Sequence, residues 1–278
     1  MKKRVLGLLL CGVMAFSMLA TACGGGGDTP APDQENSQAT TPTEGGLKIA
    51  IVSSPSGVDD GSFNQNNYEG IQSFIANHPD ASVTAVKEES GDTAAAVQAV
   101  ADIVADYNVI VCCGFQFAGI GSIAQDNPNV DFILVDSNPT DSEGNEVEVA
   151  NVYAMTFAEQ ESGFYAGVAA ALETKSNKVA VVNGIAYPSN VNYQYGFESG
   201  VNYANKNLAT SAEVVEIASY AGTDVTGANV GGNYVGTFAD EATGKVVGNA
   251  LINEGCDILF VAAGGSGNGV LLPKKQAM

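Results

Sequence analysis

The sequence predicts an α/β protein built from two lobes that follow one another along the chain. Short, continuous apolar runs alternate with segments whose apolar residues recur at helical spacing. That alternation is typical of parallel strands covered by helices on both faces of a sheet. The rhythm is interrupted at residues 138–157 and then restarts, and it contains too many units for one sheet. We therefore expect two sheets, each with its own helices.

The individual elements follow from the same pattern. The apolar runs predict strands at 48–53, 83–87, 109–113, 132–136, 178–183, 214–218 and 258–263. Apolar residues at helical spacing predict helices around 68–75, 93–107, 163–172, 193–205 and 244–253. Asp92 precedes the second of these helices and is expected to cap its N-terminus. In open parallel sheets ligands bind beyond the carboxyl ends of the strands, so the residues that follow each strand are the functional candidates.

Charge and composition exclude several function classes. The 278 residues include 31 acidic and 11 basic side chains, for a net charge of −20. Binding to nucleic acid or to an anionic membrane surface needs clustered basic residues, which this chain has only at its extreme N-terminus. The single histidine argues against metal sites or catalysis built on several imidazoles. We expect no metal and no cofactor.

The N-terminus has the pattern of a secretory lipoprotein. Three basic residues precede an apolar stretch, and residues 19–23 read Leu-Ala-Thr-Ala-Cys. This predicts a signal peptide at 1–22 and a diacylglyceryl anchor on Cys23; the alternative is a plain signal peptide with an incidental cysteine. Residues 23–46 are rich in Gly, Pro and Thr and predict a disordered tether. The predicted lobes are 47–150 and 151–278, held by lipid at the extracytoplasmic face of the cell membrane.

Aromatic, carboxylate and amide side chains stand at the predicted strand ends. Phe63 lies in the polar loop after the first strand, Phe115 follows the third, and Asp136 follows the fourth. A glycine-rich loop at 263–269 follows the last strand and matches neither a phosphate-binding loop nor a nucleophile elbow. Such a set suits a flat ligand whose ring stacks and whose edge forms hydrogen bonds. Two alternatives remain: Phe63 fills its own lobe, and Asp136 caps a helix.

The order of several segments carries a resemblance to a known family. These segments are 58–65 (VDDGSFNQ), 69–70, 111–115, 132–137, 151–152, 156–157, 161–163, 166–170, 196–201, 236–240 (GTFAD), 255–257 and 262–270 (AAGGSGNGV). In this order and spacing they resemble the basic membrane protein (Bmp/Med) family. This family comprises lipoproteins that include the purine nucleoside receptor of nucleoside ABC transporters. The resemblance covers residues 47–270.

The resemblance implies a type I periplasmic-binding-protein fold, in which two Rossmann-like lobes close on a nucleoside without catalysis. It also implies ABC permease subunits as partners and a monomeric state. Phe63 and Phe238 would stack on the base from the two lobes, and Asn64 and Asp136 would bond to its edge. Gly265 and Ser266 would approach the ribose through backbone groups. The implied ligand-binding residues are Asp60, Phe63, Asn64, Phe115, Asp136, Phe238, Gly265 and Ser266.

The end of the sequence departs from the family pattern. The resemblance implies a further helix after the glycine loop and carboxylates that grip the ribose, whereas residues 270–278 form a tail that contains Pro273. We therefore expect a C-terminally truncated chain with an incomplete second lobe. Two alternatives in function remain open, namely a surface lipoprotein that acts in adhesion and a ligand sensor that does not transport.

Overall fold

The structure, a computed structural model, describes residues 45–271. The predicted signal peptide, Cys23, nearly all of the tether and the tail from residue 272 lie outside this range. Within it, no helix is both long enough and apolar enough to cross a bilayer.

The first lobe is a five-stranded, fully parallel sheet in the order β2-β1-β3-β4-β5. Its strands are β1 (Lys48–Ser53), β2 (Ser82–Lys87), β3 (Val109–Cys113), β4 (Asp131–Val135) and β5 (Val152–Met155). Its helices are α1 (Phe63–Asn77), α2 (Thr93–Ile103) and α3 (Gly121–Asp126), with 3-10 turns at Val104–Asp106 and Phe115–Ile120. The predicted division at residue 150 would assign β5 to the second lobe. In the structure β5 pairs with β4 and therefore belongs to the sheet of the first lobe.

The second lobe has a three-stranded parallel sheet in the order β10-β6-β7. Its strands are β6 (Lys178–Asn183), β7 (Glu213–Val214) and β10 (Ile258–Ala262), beside an antiparallel pair of β8 (Gly222–Thr223) and β9 (Asn229–Gly231). Its helices are α4 (Glu159–Glu173), α5 (Pro188–Asn207), α6 (Glu241–Asn253) and α7 (Gly264–Leu271), with a 3-10 turn at Ala218–Tyr220.

Alternate residues of the central strands pack into separate cores, so each sheet is buried on both faces. In β1, Ala50 and Val52 join the core beneath α2, whereas Ile49 and Ile51 join the core beneath α1. In the second lobe, one core lies between the sheet and α4 and α5, and another lies between the sheet and α6 and α7. This two-sided burial explains why the strands read as continuous apolar runs. The α/β fold class predicted from the sequence is confirmed.

Local capping also agrees with the sequence. The Asp92 carboxylate accepts hydrogen bonds from the backbone N–H groups of Ala94 and Ala95, at 2.9 and 3.0 Å, as predicted for an N-cap. Asp240 plays the same part for α6, where it accepts from Thr243 N–H at 2.9 Å. Both caps satisfy donors that have no partner within the helix.

The strand predicted at 214–218 is wrong beyond its first residue. Strand β7 ends at Val214, because the buried Asn233 side chain binds the backbone that follows. Asn233 donates to the carbonyl oxygen of Val215 at 3.0 Å and accepts from the N–H of Ile217 at 2.9 Å. A side-chain amide thus replaces the next partner strand.

The glycine-rich segment after β10 is a helix and not the predicted loop. Helix α7 begins at Gly264, so the helix expected after this segment starts inside it. Glycine is required where α7 packs on α6 backbone to backbone. A Cβ atom on Gly269 would overlap the carbonyl oxygen of Glu241, and one on Gly244 of α6 would overlap that of Ser266. Tight packing here outweighs the low helix propensity of glycine.

A similar contact joins α4 to α5 on the opposite face of the second sheet. Each helix carries two glycines four residues apart, Gly163 and Gly167 on α4 and Gly196 and Gly200 on α5. A Cβ atom at any of these positions would overlap a backbone carbonyl oxygen of the other helix. The two helices therefore approach more closely than side chains larger than hydrogen would permit.

Candidate functional site

A cleft of about 490 Å³ lies where the carboxyl ends of the strands of both lobes meet. Its walls come from the segments that follow β1, β3 and β4 in the first lobe and β6 and β10 in the second, together with Phe238. This is the place at which parallel sheets of this kind bind ligands. The cleft brings together six of the eight predicted ligand-binding residues, namely Asp60, Phe63, Asn64, Phe115, Asp136 and Phe238.

Gly265 and Ser266 do not line the cleft. Ser266 is fully buried, and its backbone N–H donates to the carbonyl oxygen of Phe238 at 3.0 Å. Its hydroxyl donates to the carbonyl oxygen of Thr237 at 2.9 Å and accepts from the N–H of Asp240 at 2.8 Å. Because the glycine segment is helical, these groups hold the turn that carries Phe238 and are not presented to a ligand.

Asp60 is committed to the start of α1. Its carboxylate accepts from the N–H groups of Ser62 at 2.9 Å, Gln65 at 3.0 Å and Asn64 at 3.2 Å. The Asn64 side chain donates to the same carboxylate at 3.0 Å and to the hydroxyl of Ser54 at 2.9 Å. Asp60 therefore shapes the loop after β1, and its carboxylate has little hydrogen-bonding capacity left for a ligand.

Asn64 combines a structural bond network with one unused acceptor. Its side chain is 2 % exposed, and its amide nitrogen is fully engaged with Ser54, Ser56 and Asp60. Its Oδ1 atom is buried and has no hydrogen-bond partner among the described residues. A buried acceptor without a partner costs free energy unless a ligand or water supplies a donor. Since Asn64 lines the cleft, that donor is expected to come from the cleft side.

Asp136 follows β4 directly and has a left-handed backbone, with φ of 64°. Its N–H donates to the carbonyl oxygen of Met155 at 2.9 Å, which ties the end of β4 to β5. Burial raises the pKa of its carboxyl group to about 6, and the negative charge of Glu159 adds to the effect. The alternative that Asp136 caps a helix is wrong, because no helix begins there.

Aromatic rings from both lobes line one side of the cleft. The ring centroids of Phe115 and Tyr187 are 5.0 Å apart, and those of Tyr187 and Phe238 are 5.9 Å apart. Burial raises the pKa of the Tyr187 hydroxyl, and the charges of Asp92 and Glu88 in the first lobe add to it. Tyr187 therefore extends from the second lobe toward the first and continues the aromatic wall between them.

Sequence reasoning missed Tyr187 although a signal was present. The rule that led to Phe63, Phe115 and Asp136 applies equally to the segment after β6, where Tyr187 lies four residues beyond the strand end. It also missed Tyr193, which reaches the cleft from within α5 and packs edge-on against Phe260 at 5.8 Å. No local pattern marks a helix residue of this kind.

A polar contact joins the lobes beside the cleft. The side-chain amide of Asn268, on α7, donates to the carbonyl oxygen of Asp60 at 3.0 Å. Among the residues that the structure describes, the lining includes carboxylates but no lysine or arginine. Among residues 45–271 no cluster of three metal-ligating side chains occurs. The cleft can thus stack a planar ring and bond to its polar edge, and within residues 45–271 its lining holds no cationic side chain for a phosphate or carboxylate group.

Known proteins resemble this chain along most of its described length. The family model described as "ABC transporter substrate-binding protein PnrA-like" matches residues 47–226 and 218–277. The ABC transporter nucleoside-binding protein BmpA of Lactococcus lactis subsp. cremoris is 29% identical over 284 residues, which cover 99% of this chain and 69% of that protein. Basic membrane protein A1 of Borrelia garinii subsp. bavariensis is 30% identical over 170 residues, which cover 61% of this chain and 43% of that protein.

The fold is shared with a solved structure. An ABC transporter solute-binding protein from Aeropyrum pernix K1 superposes with a TM-score of 0.66 at 21% identity, over 84% of this chain and 60% of that one. The chain thus spans 60% of the length of this structural relative. The fold class and the family match agree with the geometry of the cleft between two α/β lobes. The chain belongs to the Bmp family of PnrA-like ABC transporter substrate-binding proteins.

Proposed function

We propose that this protein binds nucleosides, purine nucleosides above all, in the cleft between its lobes and delivers them to the permease subunits of an ABC importer. The observation that carries the proposal is the meeting of Phe63, Phe115, Tyr187 and Phe238 around one cavity with polar groups at its edge. Base stacking on aromatic rings contributes about 1–3 kcal/mol per base. The name of the Lactococcus lactis relative supports the same ligand class.

The polar groups of the cleft support an uncharged ligand with a hydrogen-bonding edge. Asn64 presents an acceptor that has no partner among the described residues, and Asp136 presents a carboxylate at the end of β4. A nucleobase supplies the matching N–H groups, and its planar faces suit the aromatic walls. The proposed role is binding without chemical conversion, by a protein held through lipid outside the cytoplasmic membrane.

The ligand class is tested by thermal unfolding of this chain with nucleosides, free bases, sugars and amino acids. A ligand present at 100 times its Kd adds about 2.7 kcal/mol to the free energy of unfolding, so guanosine, inosine or adenosine is expected to raise the Tm. Phe63→Ala is expected to weaken nucleoside binding by about 1–3 kcal/mol, measured by calorimetry. Phe74→Ala is the matched control, because Phe74 lies on the same helix, is 42 % exposed and does not line the cleft. A Tm shift by sugars or amino acids but not by nucleosides would contradict the proposal.

The anchor is tested separately. If Cys23 carries lipid, the mature protein should partition into the detergent phase and incorporate labelled palmitate, because two or three acyl chains give stable membrane attachment. Cys23→Ala should abolish both, whereas Cys11→Ala, within the predicted signal peptide, should leave both intact. Equal labelling of the Cys23→Ala variant would remove the anchor from the proposal.

A further inference from the structure

The Asp136 carboxylate faces the cleft without a partner. Among residues 45–271, no backbone N–H and no side chain donates a hydrogen bond to it, in contrast to the four bonds that Asp60 accepts. The left-handed backbone at Asp136 is rare for a residue other than glycine and fixes the direction in which its side chain leaves the strand. Its oxygens are therefore free for a ligand edge.

The titratable groups around Asp136 are all acids, so none of them is a cation. Glu159, at the start of α4, is buried and faces it from the second lobe. The hydroxyl of Tyr193 on α5 lies within the field of both carboxylates. The thiol of Cys113, at the end of β3, lies within the field of Asp136 and Asp60, and burial raises the pKa of that thiol. Within the described part of the chain, no lysine or arginine lines the cleft to hold Asp136 in its charged form.

We propose that the proton on Asp136 selects the hydrogen-bonding edge of the bound base, so that ionised Asp136 takes guanosine and protonated Asp136 takes adenosine. This inference rests on the proposed nucleoside-binding function. It adds a rule of selectivity to that function, with the solution pH as the variable. Such a site changes its preference between two ligands without any change of fold.

The rule follows from the donors and acceptors on each edge. An ionised carboxylate only accepts hydrogen bonds, and the guanine edge presents two adjacent donors, N1–H and the 2-amino group. A protonated carboxyl group donates from one oxygen and accepts at the other. The adenine edge matches that form, because its N1 accepts and its 6-amino group donates. Against adenine, an ionised Asp136 would place one oxygen opposite the N1 lone pair.

The protonation equilibrium of Asp136 lies in a pH range to which a protein outside the cytoplasm is exposed. Burial and the charge of Glu159 place the pKa of Asp136 near 6, so both forms are populated between pH 5 and 7. The affinity for each nucleoside scales with the fraction of the protein in the competent form. Guanosine should therefore bind about tenfold more weakly at pH 5 than at pH 7, and adenosine should change in the opposite direction.

Calorimetric titration of the whole chain with guanosine and with adenosine at pH 5, 6, 7 and 8 tests the rule. The ratio of the two affinities is expected to change about a hundredfold between pH 5 and 7, because each affinity changes about tenfold and in the opposite direction. At pH 7, adenosine binding should take up a proton, which appears as a dependence of the measured enthalpy on the ionisation enthalpy of the buffer. Guanosine binding at pH 8 should show no such dependence.

Three variants test whether Asp136 is the group whose protonation changes the nucleoside preference. Asp136→Asn cannot titrate, so its affinity ratio should stay constant with pH. Glu159→Gln removes the neighbouring negative charge and should move the change in preference to lower pH. Asp59→Asn changes the net charge equally at an exposed position outside the cleft and should leave the change in preference where it is. If both affinities are constant or move together with pH, the selection rule is wrong while nucleoside binding stands. If neither nucleoside binds at any pH, the proposed function itself fails.

Discussion

Gly167→Ala is expected to lower the free energy of unfolding by about 2–3 kcal/mol, within the range seen for overpacked sites. The added Cβ atom would overlap the carbonyl oxygen of Phe197 and lie 3.0 Å from the backbone nitrogen of Val201. Both obstacles are backbone atoms of α5, so no side-chain rotation relieves them. The helices would have to separate, and the core between them and the sheet would loosen. Urea unfolding of the variant and the parent measures the loss.

Gly70→Ala provides a control of opposite sign. Gly70 also lies inside a helix, α1, but a Cβ atom there would have no neighbour within 4 Å. Alanine should then raise the free energy of unfolding by about 0.5–1 kcal/mol, through helix propensity alone. Equal effects of the two substitutions would show that glycine at Gly167 is not required by helix packing.

Asn64→Asp is expected to cost about 3–5 kcal/mol of stability at pH 7, the range for a buried charge left without compensation. Three hydrogen bonds from the Asn64 amide nitrogen would be lost, and a second carboxylate would lie against that of Asp60, 3.0 Å from the present nitrogen position. The repulsion requires the introduced carboxyl group to be ionised, so the part of the loss that is due to charge should be recovered as that group is protonated on acidification to pH 4.

The control for Asn64→Asp lies two residues along the same helix. Asn66→Asp introduces the same charge at an exposed position and should change stability by no more than about 0.5 kcal/mol. Chemical denaturation at pH 7 and at pH 4 separates the two variants. A loss for Asn64→Asp that is equally large at both pH values would indicate disrupted packing and not charge repulsion as its cause.

Features that depend on residues adjacent in the chain could be predicted from the sequence. Strands β1, β3 and β6 were predicted with their observed bounds, because each is buried on both faces and leaves an unbroken apolar run. The family was also identifiable, because its segments keep their order and spacing. The placement of Phe63 and Phe115 at the cleft followed from the rule that ligands bind at strand ends.

Features that depend on distant residues could not be predicted. Strand β7 ends early because Asn233 arrives from elsewhere in the chain, and the glycine run is helical because α6 lies against it. The bond between Asn268 and Asp60 joins residues 208 positions apart, so no local pattern announces it. Ser266 was misplaced for the same reason, since its partners in the 237–240 turn become visible only in the fold.

The glycine contact between α4 and α5 also has a mechanical consequence. Within the described residues, the chain passes from the first sheet to the second once, at 156–158, and α4 begins directly after this crossing. Since α4 and α5 touch backbone to backbone, a rigid-body rotation about this crossing would carry the two helices together. Tyr187 precedes the first turn of α5, and Tyr193 lies within the helix, so both rings would move with α5. A small rotation at residues 156–158 would therefore swing both tyrosines together, toward or away from the first lobe.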